Sequence, residues 1–156
     1  MRLIFWVAAV IFVADQAVKY LVVHVMNLAV VGAIDVFPPY LNLRMAWNYG
    51  INFGLFSQAA DSARWVLIVV ALVISGGVLW WVRKEPPGRL GLVAAGLLVG
   101  GALGNVVDRV LYGAVADFLN MSCCGVRNPY AFNIADISIF AGALGLVLFT
   151  GEKKAP

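Results

Sequence analysis

Two carboxylates in apolar surroundings, Asp117 and Asp136, are the residues of this chain best suited to chemistry. Asp117 lies in Val115-Ala116-Asp117-Phe118, with no cation beside it in sequence, and Asp136 closes the run Phe132-Asn133-Ile134-Ala135-Asp136. Brought together in a poorly hydrated pocket, two such groups cannot both ionise readily, so one keeps its proton. The pair then supplies a base to activate water and an acid to assist an amide oxygen or a leaving nitrogen. Acids inside a membrane also serve proton relays, so these two residues alone leave a protease and a relay both open.

The remaining ionisable residues have structural readings of their own. Asp15 and Lys19 stand four residues apart, acid first, the favourable order for a pair on one helix face. A structural ion pair is the preferred reading of them. Asp108 and Arg109 also suit a helix end held at the headgroups, with Arg109 extending its charged tip toward water. Other chemistries find no support. There is no HExxH pair, and a single histidine, His24, cannot build a zinc site. No serine can be assigned to Lys19, and Cys123 or Cys124 as nucleophile lacks a basic partner nearby in sequence. A phosphate-binding glycine loop with its lysine is absent.

The elements that position these groups follow from composition. Only 12% of the 156 residues are charged and 63% are hydrophobic, against about 25% charged in a soluble domain. The outer surface therefore faces lipid. A net charge of +3 calls for no nucleic-acid partner. Charge-free apolar runs of about 18 residues mark transmembrane helices. Two runs, about 65–82 and 90–107, are charge-free; with 3–25, interrupted by Asp15 and Lys19, and 134–150, which takes in Asp136 to reach its length, they predict four spans in one integral membrane unit over 1–156. Arg2, then Arg83, Lys84 and Arg89, then Lys153 and Lys154 gather on one side, which the positive-inside rule makes cytoplasmic for both termini. The longer segments, about 26–63 and 109–133, are then extracytoplasmic. A cleaved signal peptide ending near Ala14-Asp15-Gln16-Ala17 is disfavoured, because its removal would strand that charge pattern.

Helical rise turns sequence position into depth. From the cytoplasmic ends of their spans, Asp15 lies roughly 18–20 Å in, Asn105 roughly 22 Å and Asp136 roughly 21 Å. Three helices thus bring polar residues to one level near the outer edge of a core about 30 Å thick. Gly96, Gly100, Gly101 and Gly104, at three-to-four-residue spacing, allow close helix packing. In the first outer segment, Phe37-Pro38-Pro39 marks a turn, and Tyr40 to Trp47 alternates as a short strand would. Asn48-Tyr49-Gly50 and Gly54 punctuate the chain beyond that strand, and a small sheet on the bilayer surface is expected. A bridge between the adjacent Cys123 and Cys124 would be strained, so both read as loop residues.

Five stretches, in order, resemble the lipoprotein signal peptidase family (signal peptidase II) along nearly the whole chain. They are Asp15-Gln16-Ala17-Val18-Lys19, Asn48 to Gly54, Gly100 to Arg109, Val115 to Phe118, and Phe132 to Asp136. The resemblance implies an all-α membrane protein with four transmembrane helices and a small extracytoplasmic β-sheet and loop subdomain. It implies a catalytic dyad of Asp117 and Asp136. Around the dyad it places Asp15, Lys19, Asn48, Gly50, Asn105, Asp108, Arg109 and Asn133 as support for dyad and substrate. No metal or organic cofactor belongs to the family. The implied substrate is a prolipoprotein held in the bacterial inner membrane, cut on the N-terminal side of its diacylglyceryl-modified cysteine, near the outer face. Membrane lipid and no nucleic acid are the other expectations, with a monomeric protein. Ile51 and Asn52 depart from the small residues of many relatives, and the loop from Asn48 to Gly54 is expected to help cover the site. The competing reading, a small proton-coupled transporter, predicts a polar path across the bilayer. The cytoplasmic halves of the spans are apolar apart from Ser75 and glycines.

Overall fold

A computed structural model describes residues 1–50 and 59–150. Ile51, Asn52 and the rest of the loop to Gly54 lie outside the described residues, as do Lys153 and Lys154. Helix α1 covers Arg2–Tyr20 and continues through a widened turn, Leu21–Val25, in which the Met26 N–H reaches the Leu21 carbonyl at 2.8 Å. A single turn, α2 (Leu28–Val31), leads into strands β1 (Ala33–Phe37) and β2 (Leu41–Asn48). Helix α3 (Ala59–Lys84) and helix α4 (Arg89–Tyr112) come next, then strand β3 (Val115–Asn120) and helix α5 (Ile134–Thr150). The chain is mostly helical, with one three-stranded antiparallel sheet in the order β1-β2-β3.

Three helical stretches, Arg2–Val25, Ser62–Lys84 and Arg89–Tyr112, are long and apolar enough to cross a membrane. Helix α5, at 17 residues, is about 25 Å long at 1.5 Å per residue. Large side chains point outward on α3 (Val66, Val69, Val73, Trp80) and on α5 (Phe140, Val147). In water each would forgo roughly 1.5–3 kcal/mol of burial; against lipid the exposure carries no such cost.

Helix α4 is the axis, packing against α1, α3 and α5. Its glycines explain how. A Cβ on Gly96 would lie 2.7 Å from the Val7 side chain, one on Gly100 2.6 Å from the Ala8 carbonyl oxygen, and one on Gly101 2.5 Å from the Ala135 carbonyl oxygen. Without those methyl groups the backbones of α1 and α5 close on α4 from two sides, the way small residues permit contact where no hydrophobic effect drives it. Gly113, in the left-handed conformation at φ 78°, ends α4, as a glycine past the last turn does, and turns the chain into β3. Strand β3 then pairs with β2, Ala46 opposite Asp117 and Asn48 opposite Val115. Phe118, Leu43, Val22 and Leu28 pack together and fix the sheet to the C-terminal end of α1 and the turn that follows it.

Candidate active site

Helix α5 starts with a reciprocal cap. The Asn133 side-chain oxygen accepts the Asp136 N–H at 2.9 Å, and Asp136 Oδ2 accepts the Asn133 N–H at 3.3 Å. This satisfies two amide groups that a helix start otherwise leaves unpaired, and it fixes the Asp136 carboxylate at the positive end of the helix. The Asn133 amide nitrogen turns the other way. It donates to Asp117 Oδ1 at 2.7 Å and contacts the Ala116 carbonyl and Asn105 Oδ1 at 3.3 Å each. Asp117, on β3, receives a second bond at 3.1 Å from Asn48 Nδ2 at the end of β2. Asp136 receives one at 2.9 Å from Asn105 Nδ2 on α4.

Asp117 is buried, with 3% of its surface exposed. Burial first, then the negative charge of Asp136, pushes its carboxyl up to about 7, against the opposing pull of the Asn48 and Asn133 hydrogen bonds. A carboxyl raised toward neutrality suits general acid–base work on an amide.

Below this pair the charges are committed to one another. Lys19 Nζ lies 2.8 Å from Asp15 Oδ2, 2.7 Å from Asp108 Oδ2 and 3.2 Å from Asn105 Oδ1. All three of its donors are used, so Lys19 points at Asp15, Asp108 and Asn105, and directly at neither Asp117 nor Asp136. The i,i+4 pair read from sequence is present and extends to a second helix. Asp108 is fully buried, its carboxylate held by Lys19 and Gln16. Arg109 donates to the Asn105 carbonyl at 3.3 Å and makes no ion pair among the described residues. Gly50, at φ 86°, donates its N–H to Asn48 Oδ1 at 2.9 Å, a local turn that steadies the Asn48 side chain.

Sequence reasoning leaves Gln16 without a role. In the fold its amide nitrogen reaches Asp15 Oδ2 at 3.2 Å, Asp108 Oδ1 at 3.0 Å and the Gly104 carbonyl at 3.3 Å. An uncharged polar residue within an apolar span, one position from an acid, was the available signal. Among the described residues no group of three or more His, Cys, Asp or Glu is arranged to hold a metal ion.

Long apolar helices, a small sheet at their end and a hydrogen-bonded carboxylate cluster beside it have the make-up of a helical membrane protein. The model of the peptidase A8 family, signal peptidase (SPase) II, matches residues 7–150. The lipoprotein signal peptidase of Alteromonas mediterranea is 39% identical over 154 residues, spanning 96% of this chain and 82% of that protein. That of Vibrio parahaemolyticus is 37% identical over 150 residues, spanning 96% and 88%. A bacterial membrane enzyme solved by the in meso method at 1.9 Å superposes with a TM-score of 0.79 at 28% identity, covering 97% of this chain and 94% of that one. The chain belongs to the signal peptidase II family, and so to the membrane-bound aspartic proteases that process lipoproteins.

Proposed function

We propose that Asp117 and Asp136 are the catalytic dyad with which this protease removes the signal peptide from diacylglyceryl-modified prolipoproteins, cutting N-terminal to the lipidated cysteine. The observation that carries the reading is Asn133, whose amide bonds Asp117 at 2.7 Å while its backbone N–H bonds Asp136 at 3.3 Å. One residue thus holds both carboxylates to a common centre.

In the proposed mechanism Asp117 carries the shared proton, in keeping with a carboxyl raised to about 7, and hydrogen-bonds the scissile carbonyl oxygen. Asp136 takes a proton from water as the water oxygen attacks the carbonyl carbon. Collapse of the tetrahedral intermediate breaks the C–N bond, and the nitrogen of the lipidated cysteine leaves with a proton from the dyad. The two carboxyls titrate as a pair, so the apparent pKa values of the reaction belong to both. Asp15, Lys19, Asn105, Asp108 and Asn133 position the dyad; Asn48, Gly50 and Arg109 stand where substrate meets it.

The same reading assigns α1, α3, α4 and α5 as four spans of the bacterial inner membrane. Both termini face the cytoplasm, and the sheet and the dyad lie toward the outer face. A monomer in contact with lipid suffices, since every residue given a role belongs to one chain. The deciding experiment is cleavage of a diacylglyceryl prolipoprotein by purified protein, set beside Asp117→Asn and Asp136→Asn. Loss of cleavage in both folded variants is expected; a cut by either at the wild-type rate removes the dyad.

A further inference from the structure

Asp15 and Asp108 do more than neutralise Lys19. Asp15 Oδ1 accepts the N–H of Ala135 at 2.9 Å, and Asp108 Oδ2 accepts the N–H of Ala116 at 3.2 Å. Ala135 directly precedes Asp136, and Ala116 directly precedes Asp117. Each buried carboxylate therefore grips the backbone one residue before a dyad aspartate. The two grips are themselves tied together twice on α1, by Lys19 at 2.8 and 2.7 Å and by the Gln16 amide at 3.2 and 3.0 Å.

We propose that Gln16 is a positioning residue for the reaction: with Lys19 it cross-links Asp15 to Asp108 and thereby sets the separation of Asp117 and Asp136 without touching substrate. The inference rests on the dyad assignment above. Its physical content is a division of labour between the two ties. Lys19 supplies the charge that makes two buried carboxylates tolerable. Gln16 supplies direction, since a planar amide offers two N–H donors at a fixed angle, whereas an ammonium group rotates freely. With Gln16 absent, Lys19 alone spans two carboxylates, and the backbones of β3 and α5 lose one of the ties that hold them in register.

The test compares wild type with Gln16→Met, which keeps side-chain length and volume but offers no donor. A misplacement of reacting groups by about 1 Å costs up to a hundredfold in rate, so kcat is expected to fall roughly 10- to 100-fold with KM unchanged. The pH profile supplies a readout that a merely structural role leaves alone. Asp117 is raised in part by the charge of Asp136. The other charged groups around the pair, Lys19 and Asp15 from α1 and Asp108 and Arg109 from α4, keep their charges in the variant, although none of them bonds either dyad carboxylate. A wider dyad weakens the repulsion, so the alkaline limb of kcat/KM moves to lower pH. Exchange of the Ala116 and Ala135 amide protons is expected to quicken together. Should Gln16→Met not fold, Gln16→Leu is read in the same way. A variant with wild-type kcat and pH profile, or one slowed with its pH profile unmoved, overturns the role of Gln16 while leaving the dyad standing. Retained activity in Asp117→Asn or Asp136→Asn overturns both.

Discussion

Asn133 and Asp117 meet through a 2.7 Å hydrogen bond that joins the start of α5 to strand β3. They lie 16 residues apart in sequence. The bond does two things at once, because the same asparagine also caps the helix that carries Asp136. Asn133→Ala is expected to cost about 1–3 kcal/mol of stability from the acceptors left unpaired. Activity should fall further than stability accounts for, by roughly 100-fold or more, since a preorganised donor is lost at the reacting centre. Thermal unfolding in detergent and a cleavage rate, measured on one preparation, separate the two effects.

The raised carboxyl of Asp117 fixes the sense of the pH dependence. Its folded value of about 7 lies above the ordinary carboxyl value of 3.8, so the folded state holds a proton that the unfolded chain has released between those values. Stability from this group is complete below the unfolded value and is lost as pH rises through about 7. Wild-type Tm should therefore decline from pH 5 to pH 8, and Asp117→Asn should decline less. The cleavage rate should fall on the alkaline side near the same pH, as protonated Asp117 is depleted. A Tm slope identical in the two proteins would contradict this assignment.

Gly104 and Gly76 offer a matched pair. A Cβ on Gly104 would stand 2.6 Å from Asp15 Oδ2, inside the buried charge cluster, whereas one on Gly76 meets nothing within 4 Å. Gly104→Ala is expected to destabilise by about 1–3 kcal/mol, as overpacking does, and to lower activity by displacing Asp15 from the Ala135 amide. Gly76→Ala should be neutral or slightly stabilising, by up to about 1 kcal/mol. Equal effects of the two substitutions would mean that the packing around Asp15 is softer than its contacts indicate.

The native cysteines report topology. Cys123 and Cys124 are the only two in the chain, and both are free and exposed on the segment between β3 and α5. With that segment outside the cytoplasm, a membrane-impermeant maleimide should label intact spheroplasts fully, and lysis should add nothing. Labelling that appears only on lysis reverses the orientation proposed for all the helices.

Much of the architecture was legible in the sequence because lipid imposes a simple rule. A helix facing hydrocarbon must be apolar along its length, so the charge-free runs ending at Val82 and Val107 announced α3 and α4. The strand expected from Tyr40 to Trp47 appears as β2, Leu41–Asn48. Helix ends were less legible. Helix α4 continues to Tyr112, past the charged Asp108 and Arg109: Asp108 is paired with Lys19, Arg109 bonds the Asn105 carbonyl one turn back, and neither imposes a stop. The structured start at Ala33–Phe37 was not foreseen, since β1 is an edge strand with one neighbour and a weak pattern.

For the candidate site, the sequence by itself determined which residue types sit in apolar surroundings, and so which carboxylates need an explanation. Depth counted along each helix brought Asp15, Asn105 and Asp136 to one level. What depth cannot give is rotation about a helix axis, and rotation decides which partner each side chain meets. Only the tertiary structure directs Lys19 to Asp108 as well as Asp15, sets Gln16 between those two carboxylates, and spends both on the backbone amides before Asp117 and Asp136. Those bonds join residues as far as 120 positions apart. They exist because glycines on α4 let three helices approach closely enough for short side chains to reach across.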